Sequence, residues 1–185
     1  MAFIDRRPGI RPRPSLGRRL DIAARASFPA CITILLMLLT EAPLGLADQP
    51  TLLPAVTLGA VWFWSLYRPA SFPPPVVFVV GLLLDLLGYL PLGVGVFTLL
   101  CVHGVAASLR RWRLAPRGFA WIWSLFALVA CAASLLMWLL IMLLNFRLLS
   151  PDPMVFMAIL SVAIYPVLAV PFAAALRSVA NPERA

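Results

Sequence analysis

Apolar and polar positions in this chain do not alternate with a helical or strand period; they segregate into six apolar runs divided by short polar or proline-containing breaks. The runs cover residues 28–46, 52–67, 76–90, the stretch after Gly93 through Leu109, 118–144 and 154–176. A helix that is apolar all round has no face for water, so each run predicts a helix buried in protein or lipid. The first run is long enough to cross a hydrocarbon core of about 30 Å. The third, 15 residues, gives about 22 Å of helix and barely spans. The fifth, 27 residues, gives about 40 Å and must tilt or protrude. Pro166 and Pro171 predict kinks in the sixth. Trp62, Trp64 and Tyr67 beside Arg68, and Trp121 and Trp123 near Arg117, have the composition of anchors at a membrane surface. The predicted fold is an all-α polytopic membrane protein with six transmembrane helices.

Composition agrees with the pattern. The chain has 185 residues, 63% hydrophobic and 12% charged, with a mean hydropathy of +0.98, against about half apolar and a quarter charged in soluble domains. A soluble fold and intrinsic disorder are both excluded on these grounds. The net charge of +8 arises from 15 arginines against seven acids. In a soluble protein that surplus would suggest nucleic acid; here its placement between apolar runs gives it another meaning. Six spans put both termini on one side, and placing them in the cytoplasm puts every arginine except Arg147 on that side, as the positive-inside rule requires.

Three regions follow: a basic cytoplasmic N-terminal tail over 1–27, a six-helix transmembrane domain over 28–176 and a short cytoplasmic tail over 177–185. The first carries Arg6, Arg7, Arg11, Arg13, Arg18, Arg19 and Arg25, with Pro8, Pro12 and Pro14 between them. It reads as a segment lying near anionic lipid, each Arg near the surface adding about 1 kcal/mol, rather than as a nucleic-acid binder. The stretch after Ser15 is a candidate for a short interfacial helix. Basic residues before the first run also resemble a secretory signal, with Gly45-Leu46-Ala47 as a small-x-small site. The length of the run and Pro43 favour a retained span. Cys31, Cys101 and Cys131 are too widely spaced, and too embedded in apolar runs, to suggest a disulfide framework or metal motif.

Apart from Glu41 near the end of the first run, the spans contain one acid, Asp85, and one histidine, His103. A membrane aspartyl protease would lack its second aspartate, and no GxSxG-like elbow accompanies Ser108, Ser124, Ser134 or Ser161. No cofactor is implied. Gly81, Asp85 and Gly88, spaced i, i+4, i+7, share one helical face on which two glycines allow close backbone approach. A carboxylate facing lipid costs at least about 2.5 kcal/mol, so that face is expected against protein. If spans three and four turn near Pro91, His103 is offset from Asp85 by about 9 Å, too far for a direct bond. The favoured partner for Asp85 is the set of free N–H groups at the start of the fourth helix, near Gly93 to Gly95. On that reading Asp85→Asn largely preserves folding. A proton or ion pathway and a polar contact with a partner helix remain the alternatives. Ala127, Cys131 and Ser134 form a small-residue stripe suited to close packing of the fifth helix.

The stretch Gly81-Leu-Leu-Leu-Asp85-Leu-Leu-Gly88-Tyr-Leu-Pro91-Leu92-Gly93, at the junction of the third and fourth of six spans, resembles the MreD family of bacterial rod shape-determining proteins. The resemblance implies a non-enzymatic inner-membrane component of the cell-wall elongation machinery. Its expected partners are an MreC-like protein, the glycan polymerase and transpeptidase pair and, directly or through them, an MreB-like filament. It also implies a structural or partner-binding role for Gly81, Asp85, Gly88, Pro91, Leu92 and Gly93. The family fold looks like that of the substrate-binding membrane subunits of energy-coupling-factor transporters, which supplies the rival expectation of a solute-binding subunit. Such a subunit needs convergent polar groups, and few are present: Asp48, Gln49, Asn145, Arg147 and Asp152 between spans, with Asp85 and His103 inside them.

Overall fold

The computed structural model describes residues 16–42, 49–111 and 118–180, with side chains described over 27–42, 50–111 and 118–177. These residues form six helices and no strand: α1 (Leu16–Glu41), α2 (Gln49–Tyr67), α3 (Pro74–Leu87), α4 (Val94–Arg111), α5 (Phe119–Asn145) and α6 (Asp152–Ala180). As in a helical membrane protein, three helical segments, Val94–Arg111, Phe119–Asn145 and Asp152–Arg177, are long and apolar enough to cross a bilayer. Two others, Ser27–Glu41 and α3, are apolar but shorter. Each helix overlaps one of the apolar runs.

The architecture is an axis with a surround. α2 packs against all five other helices, which follow one another around it in the order α1, α3, α4, α5, α6. Every residue from Leu53 to Leu66 is buried, and the core around it includes Leu58, Trp62, Phe126, Tyr165 and Phe172. One end of the bundle gathers the C-termini of α2, α4 and α6. There Phe63 and Trp64 lie against Phe172 with ring centroids 5.3 and 5.1 Å apart, and Phe28 of α1 meets Trp64 at 6.3 Å. Hydroxyls in the helices are satisfied locally: Thr33, Thr57, Thr98 and Ser161 each donate to the carbonyl four residues earlier, the arrangement expected where water is absent.

The structure departs from three of the sequence expectations. α1 begins at Leu16, so residues 16–27 continue the first apolar helix instead of forming a separate segment; Leu, Ala and Arg in this stretch are good helix formers. Trp62 and Trp64 are fully buried core residues, whereas Tyr67 alone of that group is exposed. Aromatic residues near the end of an apolar run look the same in sequence whether the helix is peripheral or central, and α2 is central. On α5 the buried stripe is Ile122, Phe126, Ala130, Ala133, Ser134 and Met137. Cys131 is exposed and Ala127 only partly buried; the small-residue stripe is thus rotated about one residue from the packed face.

Candidate functional site

Three prolines start α3. Pro73 precedes the helix and Pro74 and Pro75 occupy its first turn, where a missing N–H costs no hydrogen bond. The helix ends where Tyr89 adopts a left-handed conformation, φ 50°, and the Leu90 N–H donates to the Asp85 carbonyl at 3.0 Å. This is the six-to-one bond of a Schellman stop. After Pro91 and Leu92 the chain turns at Gly93, φ 101°, a conformation that disfavours any side chain. The Gly93 carbonyl accepts the first bond of α4 from the Phe97 N–H at 2.9 Å.

Gly93 therefore stands at the N-cap of α4 without a side chain to cap it. Asp85 performs that task from the preceding helix. Its Oδ2 accepts the Gly93 N–H at 2.7 Å and its Oδ1 accepts the Gly95 N–H at 2.6 Å. Two of the donors that a helix start leaves unpaired are satisfied by a negative group at the positive end of the helix dipole. One residue thus closes α3 through its carbonyl and opens α4 through its carboxylate. Asp85 is 1% exposed.

The glycines let this happen. A Cβ on Gly81 would lie 2.5 Å from Val96 Cα, and one on Gly95 would lie 2.6 Å from Asp85 Oδ1. α3 and α4 thus meet backbone to backbone, and the carboxylate fits only because position 95 is bare. Gly81 and Asp85 are brought to this contact; Gly88 supplies the N–H that bonds the Leu84 carbonyl at 2.9 Å. Pro91 lines the turn and Leu92 is exposed. Because both carboxylate oxygens are engaged, Asp85→Asn is not the mild change that the sequence suggests: its amide would face one N–H with another.

His103 lies eight residues beyond Gly95, or about 12 Å along α4, and does not meet Asp85. Its Nδ1 shares a hydrogen bond of 2.8 Å with Ser65 Oγ of α2, both side chains being buried. Ser65 was not among the serines that sequence reasoning singles out. Ser108, Ser124 and Ser161 donate to carbonyls of their own helices, and Ser134 Oγ is buried with no hydrogen-bond partner among the described residues. The Ser65–His103 bond joins two elements 38 positions apart, a separation that leaves no local signature. Trp123, half exposed, ties α5 to α6 through a 3.0 Å bond from Nε1 to the Val162 carbonyl.

Arg6, Arg7, Arg11 and Arg13 lie outside the described residues. Arg18, Arg19 and Arg25 lie on the N-terminal part of α1. Among the described residues no group of three or more His, Cys, Asp or Glu side chains comes together to hold a metal ion. No family model, curated protein or solved structure matches the chain.

Proposed function

We propose that this chain is a non-enzymatic scaffold of the MreD type in the bacterial cytoplasmic membrane, crossing it six times with both termini in the cytoplasm. In this reading it grips the transmembrane helix and juxtamembrane part of an MreC-like protein. Through that partner it connects with the glycan polymerase and transpeptidase pair and with an MreB-like filament, so controlling where wall synthesis is active. The observation that carries the proposal is the junction between α3 and α4. The motif that resembles the family folds here as one closed unit in which Asp85, Gly81, Gly93 and Gly95 satisfy or accommodate one another. Both Asp85 oxygens and the His103 Nδ1 are engaged in internal hydrogen bonds, the latter with a buried serine. Charge supports the orientation. Arg68, Arg110, Arg111 and Arg177 lie at the end that gathers the C-termini of α2, α4 and α6, whereas Glu41 and Asp152 lie at the other.

Depletion in the source bacterium, scored for cell width and for the site of new wall insertion, tests the function. Widened cells with dispersed insertion are expected, together with recovery of wall-synthesis proteins on tagged chain purified from native membranes. Unchanged shape, with recovery of an ATPase pair and loss of solute uptake, would replace the scaffold by a transporter subunit.

A further inference from the structure

A cavity of about 500 Å³ opens between α2, α5 and α6 at the arginine-rich end of the bundle, lined by Phe63, Tyr67, Phe119, Tyr165, Ala173 and Arg177 among others. Its construction is graded along one helix. Tyr165, Ala169, Ala173 and Arg177 follow at intervals of four on α6, so they form a single stripe about 18 Å long. Tyr165 closes the inner end, buried and stacked on Phe126 with ring centroids 4.3 Å apart. Phe119 lies parallel to Tyr165 at 6.3 Å, and Phe63 with Tyr67, 4.6 Å apart, forms the opposite wall. The alanines leave the floor bare. At the mouth stands the exposed Arg177, and among the described residues no carboxylate lines the cavity.

An apolar trough ending in a cation with no carboxylate beside it among the described residues has the polarity of one lipid chain with its headgroup. We propose that this groove is a binding site for one anionic phospholipid, whose acyl chain lies along Ala169 and Ala173 and whose phosphate rests on Arg177. Charge selects the headgroup: among residues whose side chains are described, Arg68, Arg110 and Arg111 at this end add to the positive field, while the three acids, Glu41, Asp85 and Asp152, lie toward the opposite end. The volume falls within the range of pockets that enclose a small ligand. The site is separate from the α3–α4 junction and does not depend on the scaffold role.

The test is native mass spectrometry of the full chain released from detergent, titrated with phosphatidylglycerol or with phosphatidylcholine of identical chains. One phosphatidylglycerol is expected to be retained in preference. Arg177→Gln should reduce that preference about five-fold, the effect of one arginine near an anionic headgroup. Arg111→Gln, at the same end but outside the groove, should leave it unchanged. Ala174→Phe, filling the groove from its exposed side, should abolish retention of both lipids while circular dichroism shows unchanged helix content. Equal retention of the two lipids, equal losses in the two arginine variants, or retention unaffected by Ala174→Phe would overturn the site. Displacement of phosphatidylglycerol by an equal concentration of polyprenyl phosphate would overturn the choice of ligand.

Discussion

Replacing Asp85 by Asn removes a single charge while keeping the shape of the side chain, and the α3–α4 junction fixes what that costs. The carboxylate accepts two backbone N–H groups, at 2.7 and 2.6 Å, from opposite oxygens. An amide can keep one; its NH₂ then points at the other N–H and leaves it unsatisfied. A hydrogen bond to a charged group contributes about 1.5–3 kcal/mol, and a buried donor left without an acceptor costs about 1–3 kcal/mol. Loss of the charge at the α4 dipole removes up to about 2 kcal/mol more. These contributions overlap, and a net loss of about 3 kcal/mol is expected. For a chain of this length that corresponds to a fall of about 6–12 °C in midpoint. The assay is thermal unfolding of purified protein in detergent, followed by the monodisperse fraction on size exclusion. Asp85→Ala, which strands both N–H groups, should fall further than Asp85→Asn. If the Asn variant melted within about 1 °C of the parent, far inside the expected range, Asp85 would not be the cap of α4 and its burial would need another cause.

Gly81→Ala should destabilise the protein by about 1–3 kcal/mol, since the added carbon meets Val96 Cα at 2.5 Å and the helices must separate. Gly104→Ala, where nothing lies within 4 Å, should be neutral or stabilising by up to about 1 kcal/mol; the same thermal assay ranks the pair, and the opposite order would discredit the close approach. Gly93→Ala meets no atom but must hold φ 101°, a strain of about 1–3 kcal/mol, visible as a lower midpoint without altered packing elsewhere. His103→Ala leaves Ser65 Oγ buried without its partner and should cost about 1–3 kcal/mol beyond the packing loss. A double-mutant cycle with Ser65→Ala should then show a coupling of at least about 0.5 kcal/mol, and additive effects would mean the bond carries no stability.

Much of the fold was legible because lipid and protein core impose the same demand on a helix, unbroken apolarity, so six runs marked six helices. The Asp85 cap was legible for a different reason. A carboxylate flanked by glycines at i−4 and i+3, followed by a glycine-rich helix start, leaves backbone N–H groups as its nearest acceptable partners. What the pattern could not reveal was which apolar run lay at the centre. Trp62 and Trp64 read as surface anchors because a run buried by neighbours and one bathed in lipid are indistinguishable by composition. The packed stripe of α5 was missed by one position for the same reason, small residues occurring on both faces of that helix. Ser65 and His103 meet only through the crossing of α2 and α4, which no spacing along the chain encodes.

The central position of α2 has a consequence for how the protein is made. Of the six described helices it is the second synthesised, yet four of the five that enclose it are translated afterwards. When it first leaves the ribosome its indoles and the Ser65 hydroxyl have, of those helices, only α1 beside them. The axis of the bundle is therefore a late-completed element laid down early, and a delay in delivering α4 or α6 would expose it to quality control before the rest of the chain existed.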